Sequence, residues 1–227
     1  MMRVLVIGAH GKIGFQVVNA LQKRSEYQVV AGLRALTQVQ DYQNKNYQAR
    51  FLDLEGSLAD LTNTMADIEA VVFSAGSGGE TGADKTMMID LDGAVKAIEA
   101  AKLAGVKRFI MVSAIKADER SFWSYKQNDL AVGNYYYAAK YYADQWLQNS
   151  GLAYTIIRPA VLTDAQPTGK IDLATQLTLK KNEHVRTITR SDVAQLIVVA
   201  LDNPVSIGQA FDVSNGDLPM NEVMLNF

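Results

Sequence analysis

A tyrosine and a lysine four residues apart, Tyr136 and Lys140, have the types and spacing needed for proton transfer. On a helix, side chains at this spacing lie on one face and can share a pocket. A tyrosine with a pKa of about 10 is a poor proton donor or acceptor at neutral pH unless a nearby cation, here Lys140, favours its phenolate. The same predicted helix carries four more tyrosines, at positions 135, 137, 141 and 142. Aromatic packing is therefore the alternative role for Tyr136.

A glycine-rich loop lies near the N-terminus, where residues 8–14 read Gly-Ala-His-Gly-Lys-Ile-Gly after a predicted strand and at the start of a predicted helix. Side chains at the first glycines would keep the backbone from a pyrophosphate, whereas free N–H groups and the helix dipole attract that anion. The loop predicts a dinucleotide site, and a glycine-rich turn without a ligand is the alternative. The candidate binding residues are Gly8, His10, Gly11, Lys12, Ile13 and Gly14.

The end of the second predicted strand reads Gly32-Leu33-Arg34. An acidic residue at this point would bind the adenosine ribose, whereas a basic residue would accept a 2′-phosphate. The paired donors of a guanidinium suit phosphate, so Arg34 favours NADP(H) over NAD(H). A solvated surface role for Arg34 is the alternative.

Short β-branched segments alternate with longer segments of helical period, which is the pattern of βαβ units. We predict strands at 3–7, 28–33, 48–52, 70–73, 108–112 and 154–157, and helices at 12–24, 58–66, 83–104, 135–149 and 191–201. The polar segment 37–46 reads as a surface connection. The predicted fold class is α/β: a doubly wound parallel sheet in three α/β/α layers. Residues 1–227 form a single domain, in which about 160–227 supply a small lid on the substrate side.

Composition excludes several classes of function. The chain has 227 residues, a net charge of −2 and no cysteine, which leaves no basic footprint for nucleic acid and no thiol chemistry. His10 and His184 are the only histidines, so we expect no metal site and no serine hydrolase triad. The apolar N-terminal segment is too short for a membrane span or a signal peptide, so we expect a cytoplasmic protein that does not contact membranes. Asp90, Asp92 and Glu99 read as a solvated face or a helix contact.

Several motifs carry a family resemblance across nearly the whole chain. They are the glycine loop, Asp53-Leu54, Ser74-Ala75-Gly76, the segment Val-Lys-Arg-Phe-Ile-Met-Val-Ser at 106–113 and the segment Gly-Leu-Ala-Tyr-Thr-Ile-Ile-Arg-Pro at 151–159. With them the chain resembles the atypical short-chain dehydrogenase/reductases. These are NAD(P)-binding Rossmann proteins related to sugar epimerases, NmrA-like regulators and biliverdin/flavin reductases. Residues 74–79 and 81–85 further resemble a bacterial subgroup labelled as sugar epimerases.

The resemblance implies roles for further residues. Asp53 and Leu54 would meet the adenine, the backbone of Ala75 and Gly76 would lie by the adenosine, and Pro159 and Ala160 would pass the nicotinamide. Lys140 would bind the nicotinamide ribose, Ser113 would hold the substrate oxygen, and Tyr136 would transfer the proton. From the residues alone, Asp53 could instead form a turn and Ser113 could cap one.

Two departures from the family pattern bear on the substrate. Ala160 stands where glycine is usual, and the segment after it is shorter than in true sugar epimerases. We therefore favour an NADP(H)-dependent oxidoreductase acting on a small carbonyl, quinone or flavin. The alternatives are an NmrA-like redox sensor without catalysis and, last, an NAD-dependent epimerase or dehydratase. Phe122, Trp123 and Tyr125 could cover a flat substrate or a partner subunit, which leaves monomer and homodimer both open.

Overall fold

A mostly parallel sheet forms the centre of the computed structural model, which describes residues 1–79, 81–125, 133–178 and 185–225. Its strands, with those of a small second sheet, are β1 (Met2–Ile7), β2 (Tyr27–Leu33), β3 (Gln48–Phe51), β4 (Ala70–Phe73), β5 (Arg108–Val112), β6 (Ala153–Pro159), β7 (Val161–Thr163), β8 (Lys170–Ala174), β9 (Thr187–Thr189), β10 (Gln209–Asn215) and β11 (Leu218–Pro219). The main sheet has the order β11-β8-β10-β6-β5-β4-β1-β2-β3, and β7 pairs with β9 separately. Seven neighbouring strands are parallel, namely β3, β2, β1, β4, β5, β6 and β10. Strand β8 runs antiparallel to both of its neighbours, β10 and β11.

Helices cover both faces of this sheet. They are α1 (Lys12–Gln22), α2 (Leu36–Asn44), α3 (Leu58–Thr64), α4 (Ala83–Lys85), α5 (Ala94–Leu103), α6 (Arg120–Trp123), α7 (Asn134–Gln148), α8 (Arg190–Asp202) and α9 (Met220–Leu225). A π-helix, Thr86–Gly93, joins α4 to α5, and a short 3₁₀-helix, Pro204–Ser206, follows α8.

Strand β1 shows why two helical layers are needed. Its side chains alternate between the faces of the sheet. Val4 and Val6 join the core under α1 and α8, whereas Leu5 and Ile7 join the core under α3, α5 and α7. Because both faces are apolar, both must be covered. The predicted three-layer Rossmann fold is confirmed.

The order of the strands places the ligand edge of the sheet. The chain runs from β1 outwards through β2 and β3, then returns to β4 on the other side of β1. Open parallel sheets bind ligands at this reversal, beyond the carboxyl ends of the strands. The glycine loop after β1 and the segment after β4 therefore flank one crevice.

The structure corrects two predictions about the elements. The segment 37–46 is mostly helix α2, because Tyr42 is buried and Val39 packs against the core. The single helix predicted at 83–104 contains the π-helix in its first half. After residue 160, β10 extends the sheet and α8 packs beside α1. In the part of the chain that the structure describes, every helix is too short or too polar to span a bilayer.

Candidate dinucleotide-binding and active site

The glycine loop packs too closely for side chains at two of its three glycines. Gly8 has φ of +82°, and a Cβ on it would lie 2.7 Å from the backbone nitrogen of Ala75. A Cβ on Gly14 would overlap the carbonyl oxygen of Gly8. Gly11 is different, because its Cβ would meet nothing nearer than that same oxygen at 3.2 Å. Gly8 and Gly14 are thus required by packing, and Gly11 leaves the loop open on its outer side.

Helix α1 begins at this loop with its first turn available to an anion. Its N-cap is Gly11, which supplies no side-chain hydrogen bond to the first N–H groups. Such free N–H groups and the helix dipole favour a phosphate. Gly11 and Lys12 are exposed there, whereas the side chain of Ile13 is buried in the core. Ile13 can therefore meet a ligand only through its backbone.

A cavity of about 260 Å³ extends from the loop along the carboxyl ends of β1, β2 and β4. It gathers residues that are distant in sequence. Its lining includes Gly8, His10, Gly11, Arg34, Asp53, Leu54, Ala75 and Gly76, all of which the sequence predicted as cofactor contacts. The glycine loop fits the phosphates of a dinucleotide, and the cavity fits its adenosine.

Two side chains lie where the adenosine ribose is expected. Arg34 is exposed and forms no ion pair with any described acidic residue. Gln38, one turn into α2, also lines the cavity, and its Oε1 is buried without a hydrogen-bond partner among the described residues. A free guanidinium beside an amide can bind a 2′-phosphate.

Asp53 forms a turn and also lines the cavity. Its Oδ1 accepts a hydrogen bond from the backbone N–H of Glu55 at 2.9 Å. Glu55, which also lines the cavity, forms an exposed ion pair with Lys85 at 2.8 Å. Leu54 is buried in the core and reaches the cavity from below.

Lys140 is held by a carboxylate that the sequence did not predict as part of the site. Its Nζ lies 2.9 Å from Oδ1 of Asp90, and both side chains are buried. The other oxygen of Asp90 accepts the backbone N–H of Ser77 at 2.9 Å. Burial alone would lower the pKa of Lys140, but the Asp90 carboxylate raises it above its ordinary value. Lys140 is therefore a fixed cation, joined through Asp90 to the segment beside the adenosine cavity.

Tyr136 lies next to this pair, with its ring centroid 5.8 Å from Lys140 Nζ. Burial raises the pKa of Tyr136, and the opposing charge of Lys140 does not cancel that effect. Lys140 thus favours the phenolate, as expected, but the effect of burial on the pKa of Tyr136 is larger. The half-buried hydroxyl stays protonated at neutral pH, which suits a proton donor. The ring also packs edge-on against Tyr137, so the packing role is present too.

Ser113, Pro159 and Ala160 end the neighbouring strands β5 and β6. The Ser113 N–H donates to the carbonyl of Ile157 at 2.7 Å, and the Ala160 N–H donates to Val213 at 2.8 Å. The Ser113 side chain is buried, and its Oγ completes no hydrogen bond of normal geometry with the described residues. Its hydroxyl lies beside the Asp144 carboxylate, at the edge of the sheet.

A buried charged cluster lies beneath Ser113. Arg158 donates through Nε to Asp144 and through Nη1 to Asp118, both at 2.8 Å. Burial raises the pKa of Asp144, although Arg158 and Ser113 both favour its charged form. The charges of Lys140 and Asp144 also influence one another. Asp144 is thus the common neighbour of Ser113, Tyr136 and Lys140. Asp212, on β10 beside Arg158, joins the cluster.

Sequence reasoning did not assign Gln38, Asp90 or the cluster around Arg158 to the site. Asp90 was expected as a solvated face or a helix contact, and it makes a buried contact with α7. In the sequence, the one indication that Asp90 is buried was its position within a largely apolar helical segment.

Trp123 corrects another expectation. It is buried and donates its ring N–H to the carbonyl of Ala117 at 2.8 Å, so it cannot cover a substrate or a partner. Tyr125 is exposed and Phe122 is half-buried. His184 lies outside the described residues. In residues 1–79, 81–125, 133–178 and 185–225, no group of three metal-ligating side chains is arranged to hold an ion.

Comparisons with known proteins identify the family and agree with the Rossmann fold. The family model described as NAD(P)H-binding matches residues 8–204. "Uncharacterized sugar epimerase YhfK" of Bacillus subtilis is 40% identical over 223 residues, which cover 98% of this chain and 99% of that protein. A solved structure from Bacillus halodurans, named as a candidate NAD-dependent epimerase/dehydratase, has 37% identity, a TM-score of 0.87 and complete coverage of both chains. The oxidoreductase YlbE of Lactococcus lactis has 30% identity and a TM-score of 0.84, covering 100% of this chain and 96% of its own.

Proposed function

Because the chain belongs to the NAD(P)H-binding family, we propose that it is an NADP(H)-dependent oxidoreductase that reduces a small carbonyl compound, quinone or flavin. The observation that carries this proposal is the cradle formed by Gly8, Gly11 and Gly14 at the open end of α1, continuous with a cavity that ends at Arg34. A phosphate at Arg34 distinguishes NADP(H) from NAD(H). The names of the similar proteins include both epimerase and oxidoreductase.

The side chains support reduction as the direction of reaction. With a carbonyl substrate, a bound nicotinamide would supply the hydride to the carbonyl carbon. Tyr136, whose raised pKa keeps it protonated, donates its proton to the substrate oxygen, which Ser113 orients. Lys140 then lies beside the phenolate that remains, and its positive charge stabilises that product of the proton transfer. The two electrons and the proton received by the substrate are thereby accounted for.

Dinucleotide binding tests the cofactor part of the proposal. Calorimetric titration should give a lower Kd for NADPH than for NADH. Replacing Gly11 with valine should raise both Kd values at least about tenfold, because its side chain would occupy the phosphate approach. Its backbone (φ −69°, ψ 160°) suits any residue, so the unfolding temperature should change little.

Arg34→Ala should raise the Kd of NADPH at least about tenfold, a loss expected for a charge-assisted phosphate contact, and should leave that of NADH almost unchanged. Lys45→Ala, which removes an exposed cation at the end of α2, is the matched control. Tighter binding of NADH by the wild-type protein would overturn the proposed preference.

Turnover tests the chemical part. NADPH oxidation should be screened against quinones, flavins and small carbonyl compounds, and Tyr136→Phe should lower kcat by about 10²-fold or more with the best substrate. Tyr135→Phe, which alters an exposed ring on the same helix, should leave kcat unchanged. Firm NADPH binding without turnover of any compound would instead support the redox-sensor function. Full activity of Tyr136→Phe would remove its role as proton donor.

A further inference from the structure

A buried ion pair joins helix α7 to the π-helix next to the site. Lys140 Nζ lies 2.9 Å from Asp90 Oδ1, and the two side chains are 8% and 2% exposed. Charges interact more strongly at such a place than at the surface, because little water screens them. Asp90 therefore fixes the position of the Lys140 ammonium.

The Asp90 carboxylate is itself held against residues 74–77, which follow β4 and line the cavity assigned to the adenosine. We call these residues the cofactor-side segment. The Oδ2 atom of Asp90 accepts the Ser77 N–H at 2.9 Å, and a Cβ on Gly76 would lie 3.1 Å from its Oδ1. One carboxylate thus contacts the cofactor-side segment through one oxygen and Lys140 through the other.

Asp90 acts in the same direction on the two side chains proposed for proton transfer. Burial alone would lower the pKa of Lys140, and the Asp90 carboxylate raises it. Burial raises the pKa of Tyr136; the charge of Lys140 lowers it, and the charge of Asp90 raises it again. A nearby negative charge stabilises the proton on both groups. Asp90 therefore opposes the loss of a proton from either one.

The other titratable groups around this pair do not take the place of Asp90. Asp144 of α7 also raises both pKa values, but it forms an ion pair with Arg158 of β6 at 2.8 Å. Tyr137 packs edge-on against the ring of the preceding tyrosine, and burial raises its pKa, so it is uncharged. Among the described residues, Asp90 is the one carboxylate within ion-pair distance of Lys140.

We propose that Asp90 is a positioning residue of the reaction, which anchors the Lys140 ammonium to the cofactor-side segment and keeps Lys140 and Tyr136 both protonated at alkaline pH. The inference rests on the proposed function, because it concerns the reduction in which Tyr136 gives up its proton. Without the carboxylate, the coupled pair would lose its first proton at lower pH, from the phenol or from the ammonium. The first loss removes the proton donor, and the second removes the charge that stabilises the phenolate.

Proton loss can be measured without turnover, by ¹³C NMR of protein labelled at lysine Cε and tyrosine Cζ. Tyr136→Phe and Lys140→Met identify the two resonances. In the wild-type protein both groups should stay protonated up to about pH 9.5. In Asp90→Asn, one of them should titrate at least about one pH unit lower than in the wild type. Asp92→Asn, which removes a half-exposed carboxylate from the same π-helix, is the matched control and should titrate like the wild type.

Turnover tests the same role through its pH dependence. The alkaline fall of kcat/KM for the best carbonyl substrate should begin at least about one pH unit lower in Asp90→Asn than in the wild type. Asp92→Asn should keep the wild-type profile. Because a loss of folded protein lowers kcat/KM through the enzyme concentration alone, circular dichroism at each pH separates it from a change in protonation.

Three results would overturn the proposal. They are loss of a proton from Tyr136 or Lys140 below pH 9 in the wild type, an unchanged titration in Asp90→Asn, and an unchanged pH profile of this variant. Lower stability with unchanged titration would make Asp90 a purely structural residue. If Asp90→Asn does not fold, the wild-type titration decides. Absence of turnover in the wild type contradicts the proposed function, whereas the titrations report on Asp90 directly.

Discussion

Burial of Asp212 disfavours the charged form of its carboxyl group. Burial raises its pKa to about 6, with a further contribution from the charge of Asp118. Because its ordinary pKa is about 3.9, the folded protein binds more protons than the unfolded chain between about pH 4 and pH 6. Stability then falls as pH rises through this window, and the loss is complete above it. A charge kept at such a cost is typical of a functional site.

Asp212→Asn should therefore stabilise the protein at pH 8, by up to about 3 kcal/mol if the whole shift is recovered. At pH 4 most of this advantage should be lost, because Asp212 is then almost fully protonated in the folded protein and about half protonated in the unfolded chain, so little of the cost remains. Urea denaturation of both proteins at the two pH values measures the difference. A variant that is less stable by the same amount at pH 4 and pH 8 would contradict this account.

At the scale of elements, the π-helix is joined to α7 through Asp90 and Lys140. A π-helix is rare and often occurs at functional sites. Here it lies between α4 and α5, where Asp90 reaches Lys140 and the backbone of Ser77 at the same time. The small Gly93 lets the same segment pack against Leu54, since a Cβ there would lie 3.0 Å from the Leu54 Cβ. The segment thus connects the adenosine side of the crevice to α7.

Asp90→Asn should destabilise the protein by about 3 kcal/mol, because it leaves the buried ammonium of Lys140 without a countercharge. Lys140→Met should also destabilise it, and the double variant should lose at least about 1 kcal/mol less than the sum. Denaturant midpoints of the four proteins give this coupling energy. Additive losses would show that the two side chains act independently.

At the scale of the whole molecule, the N-terminal loop and the C-terminal half meet at Asp164. Its carboxylate pairs with Lys12 of the glycine loop at 2.6 Å and with Arg190 at the start of α8 at 2.7 Å. Asp164 and Lys12 are more than half exposed, so these pairs contribute little to stability. The Asp164 carboxylate nevertheless places a negative charge near the glycine loop, where it competes with a bound phosphate for Lys12.

Asp164→Asn should therefore tighten NADPH binding about threefold at low ionic strength, because Lys12 is released and a repulsive charge is removed. Salt screens interactions between exposed charges, so the gain should shrink at high ionic strength. Fluorescence titration of NADPH at two salt concentrations measures both effects, with Glu99→Gln on the opposite helical layer as the control. If Asp164→Asn instead bound NADPH more weakly, the ion pairs of Asp164 would contribute to cofactor binding, and this account would be wrong.

Local patterns were enough to predict most of the strands and the glycine loop. Alternating and helical periods identify elements because burial on one or two faces imposes them. Helix α2 was missed because its apolar positions, Val39 and Tyr42, are few among polar residues. The core that buries them comes from distant strands. Strand β10 was missed for a related reason, since its place beside β6 depends on a partner about fifty residues away.

The sequence by itself determined the Rossmann fold, the dinucleotide cradle and the edge of the sheet where ligands bind. Glycine sterics and side-chain periodicity act over a few residues, so they can be read from a single chain. Only the tertiary structure decided that Asp90 neutralises Lys140, that Tyr136 keeps its proton and that Arg158 is outnumbered by carboxylates. Those properties depend on burial and on charges brought together from separate elements, which no local pattern encodes.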